Sequence, residues 1–221
     1  GLLKDNFHVA GGIHVSGDLT LTACTEPKEY APYVRDPYAD LPAPSTSGPC
    51  ENVPKSKHGE AVTVAPGRYC NGFELSGDMT LEPGVYVIDG GTFKINANTD
   101  VTGTGVTFYL TDDADLSFNG TADIALSAPT TGTYKGILFY GDREQEDQVH
   151  KFNGTANSSL VGALYFPSQS VEVLGDFAGS NGCTQIVALT ITFSGSTDYS
   201  SDCTGTGIED ITLAGRAMLV E

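Results

Sequence analysis

The sequence has no tryptophan, two methionines and few basic residues, with 11 Lys and Arg against 28 Asp and Glu. The resulting formal charge of -17 repels phosphate backbones and anionic lipid surfaces, so we expect no nucleic-acid partner. No apolar run is long enough to span a bilayer, and no signal sequence is recognisable, so we expect no membrane segment in this chain. No window carries the apolar stripe of an amphipathic helix, which leaves an all-β fold.

A short strand phrase recurs along the chain, with two alternating apolar residues, a small residue and then a turn. Its copies lie at 13–17, 73–77, 93–97, 116–120, 151–154, 171–175 and 191–195. From position 77 the copies end 20, 23, 34, 21 and 20 residues apart. A repeat of this length with period-two alternation predicts stacked strands in a right-handed parallel β-helix, or β-solenoid. The alternative is an antiparallel sandwich with short strands.

The sequence predicts a single β-solenoid domain, 1–221, with one proline-rich excursion at 25–60. Proline removes backbone donors, so we expect this excursion to lie over the solenoid, bounded by Cys24 and Cys50, and not to form a central strand. Disorder of the stretch is the alternative. The turns at Pro66-Gly67 and Pro83-Gly84 are 17 residues apart, and we expect them to superpose on successive coils. We expect the polar stretch 141–148 to protrude from the stack.

Five cysteines without CxxC or Cys-His spacing indicate disulfides and an oxidising compartment. Cys183 and Cys203 are 20 residues apart, about one coil, and strands stacked about 4.8 Å apart permit a bridge. Cys50 and Cys70 have the same spacing, and we favour that pair. A Cys24–Cys50 bridge, which would clamp the excursion at both ends, remains the alternative.

Two charged clusters follow predicted strands. Asp112, Asp113 and Asp115 are weak candidates for a Ca²⁺ site or for acid and base in polysaccharide cleavage, although a solvated turn explains them more simply. We therefore expect no cofactor. Asp142 and Arg143, followed by Glu144, are expected to pin their loop to the next coil, although Arg143 could instead bind a glycan carboxylate. The histidines have no metal-ligand spacing; they are His8, His14, His58 and His150.

Several phrases, taken in order, resemble the C-terminal region of TadG-like proteins of the tight-adherence (Flp) pilus system of Gram-negative bacteria. They are LEPGVY at 81–86, VTGTGVTFYL at 101–110, KGILFY at 135–140 with Asp142-Arg143, LVGALYFP at 160–167 and CTQIVA at 183–188. The resemblance implies an extracellular, cell-surface or periplasmic protein involved in attachment and biofilm formation. It implies pilus or cell-envelope partners, with surface glycans as further candidate ligands, and no catalytic residues.

Three classes of function follow from the sequence. A non-enzymatic structural or adhesive surface protein is the first, and a glycan-binding or glycan-cleaving β-helix is the alternative. An ice-binding solenoid is the third, and it would need a threonine ladder with one position per coil. Thr20-Leu21-Thr22 and Thr190-Ile191-Thr192 do not continue into such a ladder.

Overall fold

The computed structural model describes residues 2–3, 20–21, 30, 36–55, 60–154, 158–175, 183–194, 198–199, 203 and 206–208. Within these residues the chain is all-β, and every strand pair is parallel. No helix long and apolar enough to cross a bilayer occurs in this part of the chain. The strands are β1 (Leu2–Leu3), β2 (Thr20–Leu21), β3 (Cys50–Glu51), β4 (Val62–Val64), β5 (Gly67–Cys70), β6 (Phe73–Leu75), β7 (Asp78–Leu81), β8 (Gly84–Asp89), β9 (Thr92–Ile95), β10 (Asp100–Thr104), β11 (Val106–Thr111), β12 (Asp115–Phe118), β13 (Asp123–Ser127), β14 (Ile137–Gly141), β15 (Val149–Gly154), β16 (Ser159–Gly175), β17 (Thr184–Ser194) and β18 (Asp198–Tyr199).

The strands stack as a β-solenoid of about six turns, which confirms the predicted parallel architecture. Each coil supplies one strand to each of three faces. The first face contains β4, β7, β10, β13 and the start of β16. The second contains β3, β5, β8, β11, β14 and the middle of β16 beside the start of β17. The third contains β6, β9, β12, β15 and the ends of β16 and β17.

The interior is a column of stacked apolar side chains, because the recurring phrase points its apolar residues inward on every coil. Phe73 pairs with Phe93 across β6 and β9, and their rings lie 4.9 Å apart. Phe108 and Phe139 pair on the second face, where their rings are stacked with centroids 5.0 Å apart. All four are fully buried, and burial of one such side chain contributes about 1.5–3 kcal/mol. One short-strand coil could not bury these rings alone, so the coils depend on each other.

The 34-residue step between two copies of the phrase is one coil with two inserted turns. Residues 129–136 form the first insertion, which is closed by a 2.6 Å hydrogen bond from the amide of Gly136 to the carbonyl of Pro129. Residues 142–148 form the second, between β14 and β15. β12, before the insertions, and β15, after them, still pair in parallel, with Ser117 opposite Lys151. The insertions therefore lengthen the coil without breaking the stack.

The two Pro-Gly turns do not superpose as expected, since the register is offset by two residues. Gly67 pairs with Tyr86 and not with Gly84. The ring of Pro66 instead packs over Gly84, where an added Cβ atom would lie 2.7 Å from the ring. Equal spacing in sequence predicted successive coils but not the register between their strands, which side-chain packing decides.

Two disulfides join consecutive coils, and both are the pairs favoured by the spacing. Cys50 bonds to Cys70 with a Cα–Cα distance of 5.5 Å, and Cys183 bonds to Cys203 with a distance of 4.8 Å. The Cys50–Cys70 bond excludes the Cys24–Cys50 alternative, and Cys24 itself lies outside the described residues. Disulfides of this kind are compatible with an extracellular or periplasmic protein.

A separate three-stranded sheet joins residues from the two ends of the chain. Leu2 pairs with Asp198 on one side and with Thr20 on the other, both in parallel. β1 therefore lies between β2 and β18, and β18 follows the last long strand of the stack.

Candidate functional site

A row of tyrosines lies on the outer side of the second face. Tyr109, Tyr140 and Tyr165 pair in register on β11, β14 and β16, and each is at most 2% exposed. Their rings contact one another edge to face at 5.2 and 5.3 Å. Outward-facing aromatic rings can be this deeply buried only if another segment covers them.

The covering segment is part of the proline-rich excursion, residues 36–50, which we call the strap. It crosses the strands of the second face, running from the late coils to the early ones. Near its start, the hydroxyl of Tyr38 donates to Gln185 of β17 at 2.7 Å. At its end, Arg68 of β5 donates to the carbonyl of Gly48 at 3.0 Å, and Cys50 is bonded to β5. The strap therefore ties coils together along the stacking axis, as the predicted position over the solenoid allows.

Arg143 holds the strap at its centre. Its guanidinium donates to the hydroxyl of Tyr165 at 2.7 Å, to the carbonyl of Leu41 at 2.9 Å and to the carbonyl of Tyr38. It also lies 5.1 Å from the ring centroid of Tyr140, within cation–π range. The planar fork of arginine suits several acceptors at once, which lysine would not. This arrangement is the arginine clamp.

Asp36 completes the clamp on the side of the strap. The hydroxyl of Tyr165 donates to the Asp36 carboxylate at 2.6 Å, and the amide of Tyr38 donates to the same carboxylate at 2.9 Å. Burial raises the pKa of the Tyr165 hydroxyl, and its hydrogen bond to Asp36 raises it further. Burial alone would lower the pKa of Arg143, but the hydrogen bond to Tyr165 and the nearby Asp36 raise it on balance. The guanidinium therefore stays charged and the phenol stays neutral.

The loop 141–148 is bound to the stack, so the expectation that it protrudes is wrong. Thr111 of β11 donates to the carboxylate of Asp142 at 2.8 Å. Gln145 accepts a hydrogen bond from the amide of Asp113 at 2.9 Å, and Gln148 donates to the Asp113 carboxylate at 3.3 Å. Asp142 and Arg143 thus link their loop to the coils on both sides, whereas Glu144 is exposed.

The three aspartates considered for Ca²⁺ occupy a tight turn and do not assemble as a ligand set. Asp112 and Asp113 have positive φ angles of 52° and 60°, and Asp115 begins β12. No group of three or more His, Cys, Asp or Glu side chains suited to a metal occurs among the described residues. Ca²⁺ needs six to eight oxygen ligands, so this turn does not supply a site.

His150 occupies a core position on β15, although the spacing of the histidines indicated no role for it. It is fully buried, stacks on Phe166 at 4.1 Å and contacts the side-chain oxygen of Gln169 at 3.0 Å. Burial lowers its pKa to about 4, and the Gln169 contact and Asp115 oppose that shift only in part. The imidazole is therefore neutral at ordinary pH. The other three histidines lie outside the described residues.

A shallow groove of about 550 Å³ lies where the strap ends on the early coils. Its polar lining includes Glu51, Asn52, Thr63 and Arg68. Arg68 is already paired with Asp89 on the next coil, so its charge is partly neutralised. The groove could accept a small polar ligand, and Glu51 is the one carboxylate among its lining residues.

The fold and these contacts define a disulfide-bonded parallel β-solenoid whose second face is covered by its own chain. The chain belongs to the family described as Domain of unknown function (DUF7305), whose model matches residues 23–204. The matched region contains the strap, the clamp and both disulfides. Searches of curated proteins and of solved structures gave no match.

Sequence reasoning missed the tyrosine row and the residues of the strap that hold it. A signal was present, because Phe139-Tyr140 and Tyr165-Phe166 each place two aromatic residues side by side in a strand. Adjacent strand residues point to opposite faces, so one ring of each pair had to point away from the interior. Aromatic residues pointing outward on successive coils indicate a covered face.

Proposed function

We propose that this protein is a non-enzymatic structural or adhesive module of the cell envelope or cell surface. The observation that carries the proposal is the fastening of the stack. Cys50–Cys70 joins early coils, Cys183–Cys203 joins late coils, and the strap with its arginine clamp connects the two regions. A fastened stack resists fraying of its terminal coils, which is useful to a protein exposed to proteases and mechanical load.

The proposed partners are pilus or cell-envelope proteins of the tight-adherence type. This part of the proposal is supported by the ordered phrases at 81–86, 101–110, 135–140, 160–167 and 183–188, which resemble TadG-like proteins. Disulfides favour an oxidising compartment, in agreement with an exported protein. The role would be in attachment and biofilm formation, with the solenoid as a rigid spacer or contact surface.

Glycan binding is the second candidate, and the polar groove at the end of the strap favours it. Asn52, Thr63 and Arg68 offer the amide, hydroxyl and guanidinium groups that recognise sugar hydroxyls and carboxylates. Cleavage is less favoured than binding, because glycoside hydrolysis generally uses two carboxyl groups about 5–10 Å apart and Glu51 is alone in the groove lining.

The test is surface labelling followed by affinity capture from the producing bacterium. Cells carrying an epitope-tagged full-length gene are treated with a membrane-impermeant amine reagent, fractionated and cross-linked before capture. We expect labelled protein in the envelope fraction, co-purifying with pilus subunits, and reduced surface attachment after deletion of the gene. Unlabelled protein in the cytoplasmic fraction would refute the proposal.

The glycan alternative is tested on the purified chain with acidic and neutral polysaccharides. Release of reducing ends, lost in Glu51→Gln, would replace the structural proposal with an enzymatic one. Saturable binding without release, weakened by Glu51→Gln but not by the exposed-site control Glu74→Gln, would place a glycan ligand in the groove. Neither result is expected if the partners are proteins alone.

A further inference from the structure

Three consecutive hydroxyl residues lie on the exposed part of the strap. Ser45, Thr46 and Ser47 are all exposed, between a buried Pro44 and an exposed Pro49. Residues 41–47 belong to no strand, although they run over a sheet. Because proline lacks a backbone donor, the prolines keep this segment out of the strand ladder.

This segment is held at both ends. On one side, the carbonyl of Leu41 accepts hydrogen bonds from Arg143 at 2.9 Å and from Tyr140 at 3.2 Å. On the other side, the carbonyl of Gly48 accepts from Arg68 at 3.0 Å, just before the disulfide at Cys50. The hydroxyl residues therefore lie on an exposed loop that is held at both ends.

The three hydroxyl groups differ in their contacts. The hydroxyls of Ser45 and Ser47 lie 2.7 Å apart, and the amide of Ser47 donates to the hydroxyl of Ser45 at 3.2 Å. Thr46, between them, has no hydrogen bond to its hydroxyl among the described residues. Thr46 therefore offers the freest nucleophilic oxygen of the three.

Exposed threonines elsewhere provide a comparison within the same chain. Thr63, Thr80 and Thr102 form a row on the first face, and the hydroxyls of Thr80 and Thr102 lie 3.4 Å apart. The backbones of Thr80 and Thr102 are paired with a neighbouring strand on both sides. A modifying enzyme must draw the acceptor hydroxyl into its active site, which an exposed, unpaired segment allows more readily than a strand paired on both sides.

We propose that the segment Ser45–Ser47 is an acceptor site for O-linked glycosylation, with Thr46 as the first residue modified. Serine and threonine interspersed with proline are typical of O-glycosylated segments. The inference rests on the proposed function, because glycan transfer to a folded, disulfide-bonded chain takes place outside the cytoplasm.

The transfer is balanced as a substitution at the anomeric carbon of a sugar activated as a diphosphate ester. The hydroxyl oxygen of Thr46 forms the new C–O bond, and the bond between the anomeric carbon and the diphosphate oxygen breaks. The diphosphate leaves with the electron pair, and the hydroxyl proton passes to a base of the transferase. No oxidant or reductant is needed.

The test is mass spectrometry of the full-length protein isolated from the producing organism. Trypsin cleaves after Arg35 and Lys55, and the peptide 36–55 contains no serine or threonine except Ser45, Thr46 and Ser47. After reduction and alkylation, we expect this peptide to carry hexose or hexosamine mass, and electron-transfer fragmentation to place it on Thr46 or a neighbour. Peptides containing Thr80 and Thr102 should be unmodified.

The matched variant is S45A/T46V/S47A, which removes all three hydroxyl groups and keeps the side chains small. It should lose the added mass, while non-reducing mapping of the Cys50–Cys70 disulfide shows that the strap is still folded. An unmodified peptide 36–55 in envelope-located protein overturns this inference but leaves the proposed function standing. Unmodified protein in the cytoplasm overturns both, and phosphate on the peptide or sugar on Thr80 instead overturns the inference.

Discussion

Replacing Arg143 with alanine removes the centre of the strap's attachment. The side chain donates to Tyr165 at 2.7 Å, to Leu41 at 2.9 Å and to the carbonyl of Tyr38, and it lies over the ring of Tyr140. These contacts join β14 and β16 to the strap. We expect Arg143→Ala to release the strap locally while the inner core remains folded.

The expected loss of free energy depends on the hydrogen bonds that each acceptor of Arg143 retains. Hydrogen bonds from a charged donor contribute about 1.5–3 kcal/mol each, and a cation–π contact about 0.5–1 kcal/mol at a partly exposed site. The loss is smaller than their sum, because every acceptor retains a partner. The hydroxyl of Tyr165 keeps Asp36, the carbonyl of Leu41 keeps Tyr140, and the carbonyl of Tyr38 keeps the amide of Leu41. A net loss of about 2–3 kcal/mol is expected.

The assay is hydrogen exchange of peptides that cover residues 36–47. A loss of about 2–3 kcal/mol in strap docking corresponds to exchange about 30- to 150-fold faster at the hydrogen-bonded amides of Tyr38 and Leu41. Arg143→Lys should show an exchange rate between those of the unmodified protein and Arg143→Ala, because lysine keeps the charge but not the planar guanidinium. Lys94→Ala is the control, since its exposed pair with Glu74 at 3.9 Å contributes at most about 1 kcal/mol and does not touch the strap. Unchanged strap exchange in Arg143→Ala would refute the clamp.

Three further results are expected. The free energy of unfolding should fall by about 3 kcal/mol as the pH drops from about 6.5 toward 4. In this range the imidazole of the unfolded chain (pKa about 6.5) binds a proton, whereas buried His150, with its pKa of about 4, does not. Unfolding measurements on His150→Leu should lack this pH dependence, and an equal dependence in both proteins would contradict the reasoning. Gly84→Ala should destabilise by about 1–3 kcal/mol more than Gly132→Ala, because both glycines have positive φ angles (+148° and +87°) but only the Cβ atom at position 84 would lie 2.7 Å from a proline ring of the preceding coil; equal losses in melting temperature would argue against that contact. Cys183→Ser should lower the free energy of unfolding in urea by about 3 kcal/mol and leave Cys203 alkylatable, and an unchanged midpoint would show that the disulfide adds no stability.

The stack and its disulfides were predictable because both depend on local, repeated chemistry. Alternation of apolar and polar residues decides which side chains point inward, and the recurring small residue marks each turn. A pair of cysteines one coil apart needs only the strand spacing to be bridged, as Cys183 and Cys203 are. Residues 36–49 of the proline-rich segment stay out of the strand ladder, whereas Cys50–Glu51 at its end pairs with β5.

The clamp and the buried histidine depend on contacts between residues far apart in sequence, which periodicity does not encode. Arg143 meets Leu41 across 102 residues, and Tyr165 meets Asp36 across 129. His150 alternates with charged and apolar neighbours like any strand residue, and only the register that sets β15 beside β16 makes it a core residue. The charge of the loop around Arg143 therefore indicates a link to a neighbouring coil but not the link to the strap.

The pairing of Leu2 with Asp198 affects the order in which the chain can fold. During synthesis β1 is made long before β18, so its partner on that side is absent until residues 198–199 have been made. The strap must likewise wait for β14, β16 and β17 before it can dock. Contacts of such high sequence separation slow folding and leave strand edges exposed in the meantime. A nascent chain that has not yet reached residue 198 is therefore the stage at which aggregation and proteolysis threaten this protein most, and an assisting chaperone would act on that stage.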